Sequence, residues 1–220
     1  DDEVRLWLYH KPRGLISTHR DPQNRRTLFE TLPTGMPRVN SVGRLDMDSE
    51  GLMLLTNSSA LERRLELPSS SFVRRYRAEL NTGNRGVTSE MVQQLARGIE
   101  LIDGSRFRPI RAVVDTQPHE QGPATPHYQG AVTMWLTEGK KHEVRRVWKH
   151  FGFPVIRLIR QAYGPFELGR LRTGGVDEVP PRLVHELLEG RLPLEAPGHE
   201  EEAAAKRTSG RRGLMRGRTG

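Results

Sequence analysis

Two short segments of the sequence concentrate groups that can do chemistry. Gly43-Arg44-Leu45-Asp46-Met47-Asp48-Ser49-Glu50-Gly51 sets three carboxylates and one arginine between two short apolar runs, Val39–Val42 and Leu52–Leu55. A carboxylate two residues from an arginine can be held ionised and aimed, which suits a nucleophile or a general base. The spacing also matches part of a calcium loop, with Asp46, Asp48, Glu50 and Gly51 at positions 1, 3, 5 and 6 of the EF-hand pattern. Position 12 of that pattern needs a bidentate Glu, and here it is Asn57; the flanking runs also read as strands where helices are required. A polar turn with solvated acids is the plainer reading. A catalytic carboxylate on a loop between rigid strands is the sharper one.

The second segment is Glu138-Gly139-Lys140-Lys141-His142-Glu143-Val144-Arg145-Arg146-Val147-Trp148-Lys149. Val144, Val147, Trp148 and Phe151 fall on one helical face, so Arg145, Arg146 and Lys149 point away from it, toward solvent or a ligand. Lys140 and Lys141 precede the helix, where free backbone N–H groups also favour phosphate. Downstream, Arg157 and Arg160 sit on opposite faces of a strand, so only one of them can look toward that ligand. His142-Glu143 is not a zinc motif, because Arg146 stands where H-E-x-x-H requires histidine. A solvated amphipathic helix would look the same. Tyr76 lies among Arg74, Arg75 and Arg77, and an aromatic beside cations suits an unpaired base that stacks while arginines hold phosphate. A half-buried strand tyrosine is the more frequent meaning of such a residue.

The elements that must position these groups are short. Strand-like runs are Val4–Tyr9, Val39–Gly43, Leu52–Thr56, Arg74–Leu80, Arg111–Asp115, Ala131–Thr137 and Val155–Arg160. Helical spacing links Leu61 to Leu65 after an Asn57-Ser58-Ser59 cap, Val92 through Ile99 after Thr88-Ser89, Val144 to Phe151, and Leu183 to Leu188 after Pro181. Lys11-Pro12-Arg13-Gly14 signals a turn. The pattern predicts an α+β body on a mixed sheet. The proline-rich stretch Gln117–Gln129 reads as a long exposed loop. The apolar pattern ends near residue 198, so residues 1–198 are expected as one catalytic-sized domain and 199–220 as a basic disordered tail.

Composition narrows the class. The 220 residues are 35% hydrophobic and 28% charged, with a formal net charge of +8 and no cysteine. No apolar run approaches the roughly 20 residues of a bilayer span. Without cysteine there are no disulfides, no thiolate catalysis and no cysteine-ligated metal, which fits a reducing compartment. The charge is uneven: residues 138–172 hold 9 basic and 3 acidic groups, while residues 1–137 hold 18 and 16. A basic block on a nearly neutral body points to a polyanion partner.

Taken in order, these motifs resemble one family. The segments are Lys11-Pro12-Arg13-Gly14-Leu15, Val42 through Asp46 with Glu50 through Asn57, and Leu67-Pro68 with Arg75-Tyr76. Glu138 through Arg146, Arg157-Leu158-Ile159-Arg160 and Tyr163-Gly164-Pro165 complete the set. They are similar to the ribosomal-RNA branch of the pseudouridine synthases, the RsuA/RluB type, and most of all to its large-subunit RluB-like members, from Leu6 to about Pro193. The resemblance implies an α+β catalytic fold with a mixed, largely antiparallel sheet in two halves, flanked by helices, with the site in the cleft between the halves. It implies an isomerase that converts a uridine of ribosomal RNA, expected in a large-subunit stem-loop, to pseudouridine in the cytoplasm. No cofactor, metal or membrane is implied, and a monomer is expected. By the same resemblance Asp46 matches the essential aspartate and Arg44 the arginine beside it. Tyr76 matches the tyrosine that stacks on the target base, and Arg145 the basic residue that pairs with the aspartate across the cleft. Lys140, Lys141, Arg146, Lys149 and Arg160 are the expected RNA contacts. A non-catalytic RNA-binding protein with the same surface is the alternative.

The reaction itself leaves three roles open to Asp46: attack on sugar carbon 1, attack on base carbon 6, or removal of the proton from sugar carbon 2 to give a glycal, the role favoured here. Many members of that family carry a small N-terminal RNA-binding domain. Nothing here corresponds to it, and the chain opens on Asp1, so either a trimmed chain or a protein lacking that domain is expected.

Overall fold

The computed structural model describes residues 2–83, 85–115 and 130–197. The elements run β1 (Leu6–Lys11), β2 (Asn40–Val42), β3 (Glu50–Thr56), α1 (Ser59–Glu66), β4 (Arg74–Leu80) and α2 (Ser89–Arg97). They continue with β5 (Ile99–Glu100), β6 (Arg106–Phe107), β7 (Arg111–Val114), β8 (Gly130–Leu136) and α3 (Glu143–His150). β9 (Val155–Tyr163), β10 (Phe166–Glu167), β11 (Val176–Glu178) and α4 (Pro181–Leu188) complete the described chain.

The main sheet has the order β11-β1-β3-β9-β4-β8-β7, with β2 on β3 and β10 on β9; β5 and β6 pair separately. Every pairing in it is antiparallel except β3 with β9, where Glu50 faces Ile159 and Gly51 faces Arg160. That short parallel seam joins two halves, one built on β1 and β3, the other on β9, β4, β8 and β7. Gly51 lies at φ +109°, and a Cβ there would stand 2.2 Å from the Arg160 carbonyl oxygen. The close approach of the two halves therefore requires glycine at this position. The expected α+β body with a mixed, largely antiparallel sheet in two halves is the observed one.

Burial follows from strand parity. β3 is buried along its whole length. Leu52 and Leu54 enter one core with Leu6, Leu61 and Val184; Met53 and Leu55 enter another with Trp7, Tyr9 and Leu28. A strand covered on both faces reads as a continuous apolar run, and Leu-Met-Leu-Leu is one. The second half has its own core, where Ala78, Val132, Met134, Val147 and Trp148 meet. α1 and α2 start where the sequence places their caps: Ser58 Oγ accepts from the Leu61 N–H (3.2 Å), and Thr88 Oγ1 from the Met91 N–H (3.2 Å).

Some boundaries move. β3 begins at Glu50, so Glu50 and Gly51 belong to a strand and not to the acidic loop. Ile99, expected on a helix face, starts β5, because Gly98 at φ +88° ends α2 first. β9 runs on to Tyr163. The short β5, β6, β10 and β11 carried too few residues for a periodic signal. The Gln117–Gln129 loop and the 199–220 tail lie outside the described residues.

Candidate active site

The acidic loop between β2 and β3 is fastened from beneath. Lys11, at the end of β1, is fully buried, and its Nζ donates to the carbonyls of Pro12 (3.0 Å), Met47 (3.3 Å) and Ser49 (2.8 Å). Burial lowers its pKa to about 8, against the pull of Asp48, Asp46 and Glu50. The Gly14 N–H donates to the Met47 carbonyl (2.7 Å), and buried Ser17 bonds Leu45 on both its carbonyl (2.8 Å) and its N–H (3.2 Å). The Ser49 N–H closes the turn on the Asp46 carbonyl at 3.0 Å. The backbone around Asp46 is thus held on both flanks, while its side chain keeps 39% of its exposure.

The three carboxylates of this stretch have different partners. Glu50 is buried and takes a two-point contact from Arg157, Nε at 2.9 Å and Nη2 at 3.0 Å, which lowers its pKa. It is a seam ion pair and no candidate for catalysis. Asp48 is exposed and pairs with Arg145 Nη2 at 3.4 Å. Asp46 faces His142 Nε2 at 3.2 Å. The expected pairing of Arg145 with Asp46 is therefore replaced by Arg145 with Asp48. Arg145 also reaches Ser49 Oγ at 3.4 Å and leaves its Nε without a partner. Contacts of this length are weak hydrogen bonds, so the guanidinium sits beside the loop with donors to spare.

The opposite wall comes from the second half. α3 buries Val144, Val147 and Trp148, which fixes Arg145 on the open side. His142 precedes it at φ 54°, a left-handed conformation that turns its ring toward Asp46. Tyr76 is half-buried on β4, opposite Met134 of β8 and Arg160 of β9. Asp46, Arg44, Tyr76, His142, Arg145 and Arg160 all line one cleft of about 1440 Å³ that crosses the seam. Its volume exceeds the roughly 300–1,000 Å³ of a small-molecule pocket and suits a polymer.

The expected RNA contacts divide. Lys141 and Lys149 are exposed, and no ion pair holds either of them among the described residues. Lys140 donates to the Arg106 carbonyl (2.6 Å) and pairs with Glu138 (3.7 Å). Arg146 is tied to Asp103 (2.8 Å) and Ser105 (2.5 Å), with its guanidinium 5.2 Å from the Phe107 ring centre. Arg160 is only 3% exposed, so it belongs to the cleft floor and not to an outer surface; Arg157 is the exposed member of that pair.

Two groups were missed. Lys11 follows Trp7 and Tyr9 on the buried parity of β1, a signal the turn motif masked. Glu143 is 3% exposed at the start of α3, and its carboxyl is pushed up to about 9 by burial first and then by Glu138. It stands protonated at neutral pH in the cleft wall. Among the described residues no group of three or more His, Cys, Asp or Glu could hold a metal ion, so the calcium-loop pattern has no geometric counterpart.

Comparison with known proteins agrees with this architecture. A solved pseudouridylate synthase superposes with a TM-score of 0.69 at 22% identity, over 85% of this chain and 75% of its own. The human RNA pseudouridylate synthase domain containing 1 does so with a TM-score of 0.53 at 16% identity, over 92% and 91%. These likenesses define the fold. The family model of RNA pseudouridylate synthases matches residues 5–150. An uncharacterized RNA pseudouridine synthase of Rickettsia bellii is 40% identical over 183 residues, covering 81% of this chain and 72% of that protein. The ribosomal large subunit pseudouridine synthase B of Xylella fastidiosa is 35% identical over 198 residues, 88% of this chain and 40% of that protein. The chain belongs to the RNA pseudouridylate synthase family, enzymes that isomerise uridine in RNA to pseudouridine.

Proposed function

We propose that this chain isomerises a specific uridine of ribosomal RNA, in a stem-loop of the large-subunit RNA, with Asp46 as the catalytic carboxylate. The similarity to a ribosomal large subunit pseudouridine synthase B supports the substrate class. The observation that carries the site is the convergence, across the seam, of an Asp46 fixed by its backbone with Tyr76, His142 and Arg145 from the other half. The chain acts as a monomer in the cytoplasm, with residues 1–198 as the catalytic body and the basic tail adding non-specific RNA affinity.

The reaction breaks the bond from base nitrogen to sugar, turns the base and rejoins it through carbon 5. A base inside a stem must first leave its stack, at a cost of a few kcal/mol. Tyr76 offers a ring to stack on, and its neighbours Arg74 and Arg160 bring positive charge to the same floor. Asp46 removes the proton from sugar carbon 2 as the base departs with the bond electrons, leaving a glycal. Once the base has turned, the Asp46 acid returns that proton to carbon 2 as base carbon 5 bonds to sugar carbon 1. The proton on carbon 5 is then lost to solvent while the freed ring nitrogen takes one up. Arg44 and the spare donors of Arg145 hold the nucleotide against it. Lys141 and Lys149 take the flanking phosphates, with Lys140 and Arg146 as a second rank already engaged by protein oxygens.

The test is to map pseudouridine in large-subunit RNA from cells lacking the protein and from cells rescued with wild type or Asp46→Asn. One uridine should lose its modification and regain it only with wild type. Full rescue by Asp46→Asn would leave a non-catalytic RNA-binding role in its place.

A further inference from the structure

The floor of the cleft contains an unbalanced charge. Arg74 and Arg160 are 8% and 3% exposed. Arg74 donates to the Phe72 carbonyl (3.2 Å) and to Tyr163 Oη (3.0 Å); Arg160 donates through Nε to the Leu52 carbonyl (2.8 Å), and its Nη2 has no partner. Both guanidiniums lie over the ring of Tyr163, at 4.8 and 5.1 Å from its centre. Arg75, the next buried arginine, has Glu167 at 3.1 Å, yet neither Arg74 nor Arg160 has a carboxylate within ion-pair distance among the described residues. The acid whose carboxyl feels Arg74 is Glu143, which is protonated at neutral pH. An aromatic face offsets only part of a buried cation's cost, and a guanidinium with an unmet N–H costs more again.

Such a cluster persists where a ligand supplies the missing anion. We propose that Arg160 and Arg74, sharing the Tyr163 ring, form a buried seat for one phosphate of the RNA backbone next to the flipped uridine. The inference rests on the RNA-isomerase reading of the same cleft. It assigns Arg160 to the nucleotide inside the site, apart from the outer phosphates that Lys141 and Lys149 meet. A phosphate fits better than a base carbonyl, because two guanidiniums without an acid call for a full negative charge, and phosphate accepts from arginine in a two-point geometry.

Arg160→Met separates this role from a structural one. The variant removes an uncompensated buried charge while keeping the volume. It should melt at or above the wild-type temperature, as the exchange of a buried ion for a packed apolar group often does. Inorganic phosphate at constant ionic strength should raise the melting temperature of wild type and not of the variant, a reading independent of turnover. On the rRNA fragment that wild type modifies, Kd should rise about tenfold, and the slope of log K against log salt should fall by about 0.7. A lower melting temperature with unchanged RNA affinity would make Arg160 a structural cation and overturn the proposal. Weaker binding with an unchanged salt slope would assign the contact to a base or sugar oxygen and overturn the phosphate seat. If wild type forms no pseudouridine in any rRNA, the enzyme reading fails. The phosphate-dependent melting shift then still decides the seat.

Discussion

The two walls of the cleft are held in different ways. The Asp46 wall is fastened largely from its buried side: the fully buried Lys11 donates to three carbonyls and buried Ser17 bonds both sides of Leu45, with the exposed Gly14 N–H on Met47 added at the rim. The opposite wall, from Glu138 to Lys149, is tied by contacts at the surface. Lys140 meets Glu138, Arg146 meets Asp103, and His142 holds a left-handed conformation without a side-chain cap to the helix behind it. A buried polar group left without its hydrogen bond costs about 1–3 kcal/mol, whereas exposed ion pairs contribute about 0–1 kcal/mol each and rearrange readily. The molecule therefore pairs a closely fastened Asp46 wall, the one proposed to carry the chemistry, with a wall whose helix is anchored by its buried face but whose charged side chains, proposed to meet RNA, are held only at the surface.

The largest effect should come from loosening the Asp46 wall. Lys11→Met keeps volume but strands three carbonyls, at about 1–3 kcal/mol for each that stays buried. Turnover should fall roughly 10²-fold through misplacement of Asp46, with RNA affinity nearly unchanged. A loss of affinity without loss of turnover would mean the loop is not held for chemistry. On the other side of the cleft, Tyr76→Ala should cost about 1–3 kcal/mol of base stacking, some 10- to 100-fold in kcat/KM, while Tyr76→Phe keeps most of the activity. Equal losses in both variants would remove stacking from the role of this ring.

A smaller effect concerns Glu143. Its carboxyl titrates at about 9 in the folded chain against 4.5 as its ordinary value, so the unfolded state ionises first and stability falls as pH rises between those values. Glu143→Gln cannot ionise and should escape that loss, by about a few kcal/mol at the alkaline end of the window. Thermal melts from pH 5 to 9 should show the variant's advantage growing with pH; a constant difference would mean that Glu143 is already ionised in the fold. The smallest effects belong to the opposite wall. Lys141→Gln and Lys149→Gln should each weaken RNA binding a few-fold and lower the salt slope by about 0.7–0.9, with kcat preserved.

The sequence made much of this readable where one face of an element is apolar. The stripe through Val144, Val147 and Trp148 set α3 and with it the outward direction of Arg145. The caps at Ser58 and Thr88 marked α1 and α2, and the Gly43–Gly51 segment marked the Asp46 loop. Partnerships across the seam were not readable, because they depend on tertiary register. Arg145 reaches Asp48 and leaves Asp46 to His142, a shift of two residues along one turn that no periodicity encodes. Strand parity put Arg157 and Arg160 on opposite faces, but which face is covered was not readable: Arg160, opposite Gly51 at the seam, is buried, and Arg157 is exposed, where it pairs with Glu50. Lys11 and Glu143 read as surface charges by residue type alone, and only the surrounding burial makes one a clamp and the other a neutral acid.

The central claim is that the fixed carboxylate of the Asp46 wall performs the isomerisation. Purified wild type and Asp46→Asn, given the same unmodified large-subunit rRNA, should bind it with equal affinity and melt at similar temperatures. Pseudouridine formation should fall by roughly 10²–10⁴-fold or more in the variant. Wild-type rates of product formation from Asp46→Asn, with folding and RNA binding intact, would contradict the account.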